Sequence, residues 1–121
     1  MQYIGVDIIE IARIEKVVKR WGENFFRRIY TEAELRICRR RPSSLATRFA
    51  GKEAVMKALG TGAKGVSWRE IEILAEPGGK PLVYLHGRAQ ERASHLGLDR
   101  LAISLSDSKE YAIAFVVGET R

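Results

Sequence analysis

The chain has one cysteine, three prolines and two histidines in 121 residues, and each scarcity removes a class of protein. A single thiol, Cys38, makes no internal disulfide, so the sequence reads as one for a reducing cytoplasm, and thiol chemistry is not expected. His86 and His95 stand nine apart with no second cysteine, which is not the spacing of a structural zinc site. The longest uncharged apolar run, residues 111–118, is eight residues, under half of the roughly 20 that cross a bilayer. Residues 1–7 lack both the basic stretch and the apolar core of a signal peptide. The expectation is a cytoplasmic protein with no membrane anchor.

What is present is close to the globular average: 45% hydrophobic, 30% charged and only 11 glycines. A chain this short makes one domain, residues 1–121, able to hide about two-thirds of its unfolded surface. The net charge is +6, but it is local. Residues 1–50 hold 11 basic and 6 acidic side chains, and the rest of the chain 10 and 9. A basic face suggests an anionic partner: nucleic acid, an acidic membrane, a phosphorylated small molecule or an acidic protein.

Tyr3 to Val6 is β-prone and runs into Asp7, after which Ile14, Val17, Val18 and Trp21 recur at helical spacing. This predicts a strand ending at Asp7 and a helix stopped by Gly22. Thr31 and Glu34 have the spacing of a capping box, predicting a short helix from Glu32 towards Arg39. Pro42 interrupts it, Ser43 or Ser44 can cap a third helix, and Leu45, Phe49, Met56 and Leu59 carry that helix to Gly60-Thr61-Gly62. The second half changes period. Ile71, Ile73 and Ala75, the turn residues 77–81, and residues 82–85 read as a hairpin; residues 88–96 read as a helix ended by Gly97. Leu101, Ile103 and Leu105 alternate with polar or small residues, and residues 111–117 form another β-rich run. The predicted class is α+β, three N-terminal helices against a mostly antiparallel sheet.

Three features could carry chemistry. Asp7, at a strand end, is placed for a metal or a substrate, although such residues commonly cap a following helix. Glu53 and Lys57 stand at i, i+4 with Ala46, Phe49 and Ala50 on their face; this is either a surface ion pair or a site, and the mid-helix Gly51 hints at close approach of another group. The basic stretch Arg13, Lys16, Lys19, Arg20, Arg27, Arg28, Arg36, Arg39, Arg40 and Arg41 is either a solvated face or, with Phe25 and Phe26, a binding surface. Nucleic-acid binding is the rival use. No helix-turn-helix, RNP-type aromatic pair or GXXG loop supports it, and Glu10, Glu15, Glu23, Glu32 and Glu34 dilute the patch.

In order along the chain, residues 5–14, 25–35, 48–54 with Lys57, Gly60-Thr61-Gly62, 68–73, Gly79-Lys80-Pro81, and Ser104-Leu105-Ser106 before residues 109–112 resemble the short, single-domain 4'-phosphopantetheinyl transferases, the holo-acyl-carrier-protein synthases. The resemblance implies that family's fold and the transfer of 4'-phosphopantetheine from coenzyme A to a serine of apo acyl carrier protein, in fatty acid biosynthesis. It implies Mg²⁺ held by Asp7 and Glu53, with Lys57 directed at the phosphates, as the catalytic set. The proton acceptor stays open between Glu53 and a water on the metal. For coenzyme A it implies Arg48, Lys57, Gly60, Thr61, Gly62, Lys80 and Pro81. Arg13 and Phe25 match the family's carrier-docking positions, and Arg20, Arg27 and Arg28 join them by proximity, Phe25 as an apolar anchor inserted into the carrier. One position departs: the family commonly has His after the Ser-x-Ser strand, and here it is Asp107, so either Lys109 or Arg48 takes the phosphate contact or affinity for the 3'-phosphate is reduced. A homotrimer with active sites between subunits is also implied, with no nucleic acid and no membrane as partner.

Overall fold

The computed structural model describes residues 2–120. The order is β1 (Gln2–Glu10), α1 (Ile11–Trp21), α2 (Glu23–Ile29), α3 (Glu32–Cys38), α4 (Pro42–Leu59), the single turn α5 (Gly62–Gly65), a 3₁₀ turn (Trp68–Glu70), β2 (Ile71–Ala75), β3 (Pro81–Leu85), α6 (Gly87–Leu96), β4 (Leu98–Asp107) and β5 (Tyr111–Thr120). One sheet has the order β1-β5-β4 and the other is the β2-β3 hairpin, with every pairing antiparallel. This is the predicted α+β class.

Several local predictions meet their elements. Gly22, Gly60 and Gly97 follow the last helical residues of α1, α4 and α6. The capping box closes reciprocally: Glu34 N–H donates to Thr31 Oγ1 at 3.2 Å, and Thr31 N–H donates to Glu34 Oε1 at 2.9 Å. Three expectations need correction. The first strand runs past Asp7 to Glu10, so Asp7 is a mid-strand residue and not a helix cap. The third predicted helix, α4, takes Pro42 as its first residue and has Arg41 at its N-cap, with no side-chain cap from Ser43 or Ser44; proline suits that position because its missing N–H would have no helical partner. Finally, four helices precede residue 60, not three. α2 was not predicted because Phe25-Phe26-Arg27-Arg28 pairs like with like and shows no helical period.

α4 lies across the inner face of the three-stranded sheet. Small or slim side chains floor that face: Gly5, Ala112, Ala114 and Val116 are all buried. A Cβ on Gly5 would stand 1.8 Å from the Ala54 carbonyl oxygen, and one on Gly51 would stand 2.5 Å from Ile73 Cδ1. Glycine at position 5 is therefore what lets helix and sheet meet at backbone distance, and glycine at 51 leaves room for the Ile73 side chain; α4 contributes more of the core than any other element, with Leu45, Ala46, Ala50, Ala54, Val55, Met56, Ala58 and Leu59 buried. The outer face of the same sheet is different. Ile4, Val6, Ile8, Ile113 and Phe115 project from it and are 41 to 58% exposed.

Candidate active site

The close approach of α4 to β1 assembles the site. Residues 5, 7 and 9 of β1 share the face turned to α4, so Asp7 points where Gly5 has made room, and its side chain is 14% exposed. From α4, Lys57 reaches across: its Nζ donates to the Val6 carbonyl at 2.9 Å and to Asp7 Oδ1 at 3.1 Å. Glu53 lies one helical turn earlier on the same side. Burial and the neighbouring Asp7 carboxylate hold Glu53 above the usual carboxylate range, while Lys57 and, from α1, Arg13 pull it down. Asp7, Glu53, Lys57 and Arg13 thus come together from three elements, with two carboxylates sharing one small region.

Two facing carboxylates are an oxygen-only donor set. Among the described residues no group of three or more His, Cys, Asp or Glu side chains gathers into a metal cage. This fits Mg²⁺, which takes one or two carboxylates and completes its octahedron with water and substrate phosphate oxygens, better than it fits zinc. The raised Glu53 is consistent with a site whose acids want an added cation.

A second cluster forms a groove of about 400 Å³ between α1, α2 and the 3₁₀ turn, lined by Val17, Trp21, Asn24, Phe25, Arg28, Ile29 and Trp68. Phe25 sits inside an aromatic group, 5.7 Å from Tyr30 and 6.3 Å from Phe49, and Phe49 stacks on Trp68 at 4.8 Å. Phe25 is therefore packed into the wall of the groove. Of the other predicted docking residues, Arg20 lies over the Trp21 ring at 5.2 Å and Arg27 donates to Asn24 at 2.9 Å, so both border the groove. Sequence reasoning missed Val17, Trp21 and Trp68 as groove residues; the signal available was the position of Val17 and Trp21 on the same face of α1 as Arg13.

The predicted co-substrate residues are scattered over the single chain. Arg48 lies towards Tyr30 and Cys38, where it partly offsets the burial that raises both of their pKa values, and its buried Nε has no hydrogen-bond partner among the described residues. Gly60, Thr61 and Gly62 form the exit of α4, where the Leu59 carbonyl accepts from Arg92 of α6 at 3.0 Å; the buried Thr61 hydroxyl also lacks a partner. Lys80 and Pro81 lie at the hairpin turn, and Asp107 and Lys109 at the β4–β5 tip, all but Pro81 exposed. Cys38 is buried, and burial pushes its thiol up to about 11, which leaves it protonated and unreactive at neutral pH.

One feature no sequence pattern announced is a buried ion pair beside Glu53. Lys52 and Glu34 are both fully buried, Nζ to Oε1 at 2.7 Å. Lys52 also donates to the Trp68 carbonyl at 3.0 Å and the Ile71 carbonyl at 2.5 Å, and Glu34 Oε2 accepts from Ile73 N–H at 2.8 Å. Burial pulls Lys52 below the ordinary lysine range, and Glu34 opposes it. The clue was that Lys52 stands seven residues from both Leu45 and Leu59, on the buried stripe.

Fold and site together define an α+β protein with a two-carboxylate, one-lysine centre beside a basic, aromatic groove. The family model described as the 4'-phosphopantetheinyl transferase superfamily matches residues 3–116. A holo-[acyl-carrier-protein] synthase of Herpetosiphon aurantiacus is 54% identical, covering 98% of each chain, and one of Dehalococcoides mccartyi is 53% identical, covering 98% of this chain and 99% of the relative. The crystal structure of the Helicobacter pylori holo-[acyl-carrier-protein] synthase in complex with coenzyme A superposes with a TM-score of 0.88 at 39% identity, covering 96% of this chain and 99% of that one. The chain belongs to the 4'-phosphopantetheinyl transferase superfamily, among the holo-[acyl-carrier-protein] synthases.

Proposed function

We propose that the chain transfers 4'-phosphopantetheine from coenzyme A to a serine hydroxyl of an apo acyl carrier protein. The serine hydroxyl gives up its proton, to Glu53 or to a water in the site, its oxygen attacks the phosphorus that bears pantetheine, the pyrophosphate P–O bond breaks, and adenosine 3',5'-bisphosphate leaves. The observation that carries this reading is the meeting of Asp7, Glu53 and Lys57 at the α4–β1 contact, in a chain whose relatives bear that enzyme's name and include one crystallised with coenzyme A.

Asp7 and Glu53 would hold Mg²⁺, which would neutralise charge on the pyrophosphate. Lys57, half-exposed and tethered only by Asp7 and the Val6 carbonyl, is free to swing onto a phosphate oxygen and stabilise charge on the leaving group. Arg13 adds a second cation at the same edge. The groove with Phe25, Arg20, Arg27 and Arg28 docks the acidic carrier, taking an apolar side chain between aromatic walls while the arginines steer by charge.

A homotrimer with active sites between subunits completes the reading, and two observations support it. The outer sheet face exposes Ile4, Val6, Ile8, Ile113 and Phe115 together, the kind of apolar patch that a monomer rarely leaves open. The Gly60 loop lies beside Arg92 of α6, whereas Asp107 and Lys109 lie at the end of β4 remote from α6. One coenzyme A reaches both sets most simply when they come from different subunits. Asp107, as a carboxylate, adds no phosphate donor, and Lys109 beside it takes that contact.

The test is to incubate the protein with apo carrier, coenzyme A and Mg²⁺ and weigh the carrier. A gain of one phosphopantetheine group is expected; no gain, with a known synthase working in parallel, overturns the reading. Filter binding separates the rival: nucleic-acid affinity falling steeply with salt, without coenzyme A binding, would favour a nucleic-acid module.

A further inference from the structure

We propose that the buried Lys52–Glu34 pair is a positioning device for the groove: it holds the segment that carries Trp68, and so sets affinity for the carrier rather than the chemical step. The inference rests on the groove being the carrier's dock.

A buried ion pair is a poor way to gain stability, because a hydrocarbon pair of similar volume often does as well or better. What hydrocarbon lacks is direction. The Lys52 ammonium has three N–H donors and three acceptors: the Glu34 carboxylate on α3, the Trp68 carbonyl at the start of the 3₁₀ turn and the Ile71 carbonyl just after it. Glu34 returns the hold by accepting from Ile73 N–H and Thr31 N–H. Every group is satisfied, so the network locks the turn to two helices at once. The indole is gripped independently, since Phe49, three residues before Lys52 on α4, stacks on it with planes 21° apart. α4 therefore takes Trp68 by its backbone through Lys52 and by its ring through Phe49, one helical turn apart. Trp68 faces Phe25 and Val17 across the groove. Neither Lys52 nor Glu34 touches the Asp7–Lys57 pair, so the network acts on the dock.

The experiment uses the double variant Glu34→Gln/Lys52→Met, which removes both charges together and leaves an amide oxygen for Ile73 N–H. The chain has two tryptophans, so a Trp21→Phe background makes Trp68 the sole reporter, and both proteins are compared in it. The expected result is a KM for the carrier raised about tenfold, kcat and the KM for coenzyme A within twofold, and a red-shifted Trp68 emission. An unchanged carrier KM with unchanged emission overturns the inference, as does a fall in kcat with both KM values unchanged. Should the double variant fail to fold, Trp68→Leu, whose backbone still accepts from Lys52, reads the link from the other end: the same tenfold rise supports it and a wild-type carrier KM overturns it. Phe25→Ala keeps the two readings apart. If it leaves the carrier KM unchanged, the docking reading falls. If it raises that KM while the double variant changes neither KM nor emission, the positioning inference alone falls.

Discussion

The two faces of the three-stranded sheet are made by alternate residues of the same strands, yet they have opposite characters. The inner face is Gly5, Asp7, Ile9, Ala112, Ala114 and Val116, small except at its end, and α4 presses onto it. The outer face is Ile4, Val6, Ile8, Ile113 and Phe115, large and exposed. Bulk is missing where a helix must come close enough for Lys57 to touch Asp7, and it is present where nothing in the chain covers the sheet. The inner face is built for a site within the chain; the outer face is the one proposed above to meet another copy.

That contrast can be broken most severely from inside. Gly5→Val drives a side chain into the Ala54 carbonyl, 1.8 Å from the first added carbon, so the expected loss lies at or above the roughly 3 kcal/mol top of the ordinary overpacking range, a drop in Tm on the order of 10 °C for a domain this size. Val6→Ala, its outward neighbour, should change Tm in the monomer far less; equal drops in calorimetry would show that the faces are not different in kind.

Glu53→Gln tests the inner face's chemistry without its packing. Transfer should fall on the order of 100-fold or more, while the chain becomes somewhat more stable, because one of two facing acids has lost its charge. Activity retained in that variant would remove Glu53 from the metal site.

On the outer face, Ile8→Lys with Phe115→Glu should leave the far-UV circular dichroism of the fold unchanged and convert the proposed trimer to monomer in analytical ultracentrifugation, with activity lost if coenzyme A is shared between subunits. A variant that stays trimeric would mean that another surface joins the subunits.

The smallest effect is in pH. The Glu53 carboxyl is raised in the folded state, so the folded chain binds more protons than the unfolded one as pH climbs through and above the ordinary carboxylate range, and stability falls across that window. Metal-free wild type should therefore lose stability relative to Glu53→Gln as pH rises from acid to neutral, and match it at pH below both pKa values. A gap that widens towards acid would reverse the assignment of cause.

Much of this architecture is legible residue by residue. Thr31 and Glu34 announce a helix start, Gly22, Gly60 and Gly97 announce ends, and Leu101, Ile103 and Leu105 announce a strand, because each signal is local and its physics is complete within a few residues. β1 was cut short at Asp7 because alternation fails when both faces of a strand are apolar: Ile8 and Ile9 look alike although one faces out and one in. α2 escaped because seven residues are too few for a period to emerge from Phe25-Phe26-Arg27-Arg28.

The sequence by itself determined the class, the helix boundaries set by caps and glycines, the basic first half, and, through the resemblance, which carboxylates and lysine to watch. Only the tertiary structure decided that Lys57 lies on Asp7 fifty residues away, that Phe25 lines a groove with Trp68, that Arg48 lies towards Tyr30 and Cys38, and that Lys52 and Glu34 share a buried network. The reason is range: a cap or a period is a relation among neighbours, whereas a site is a relation among segments whose separation is set by the side chains absent between them, here the missing Cβ of Gly5.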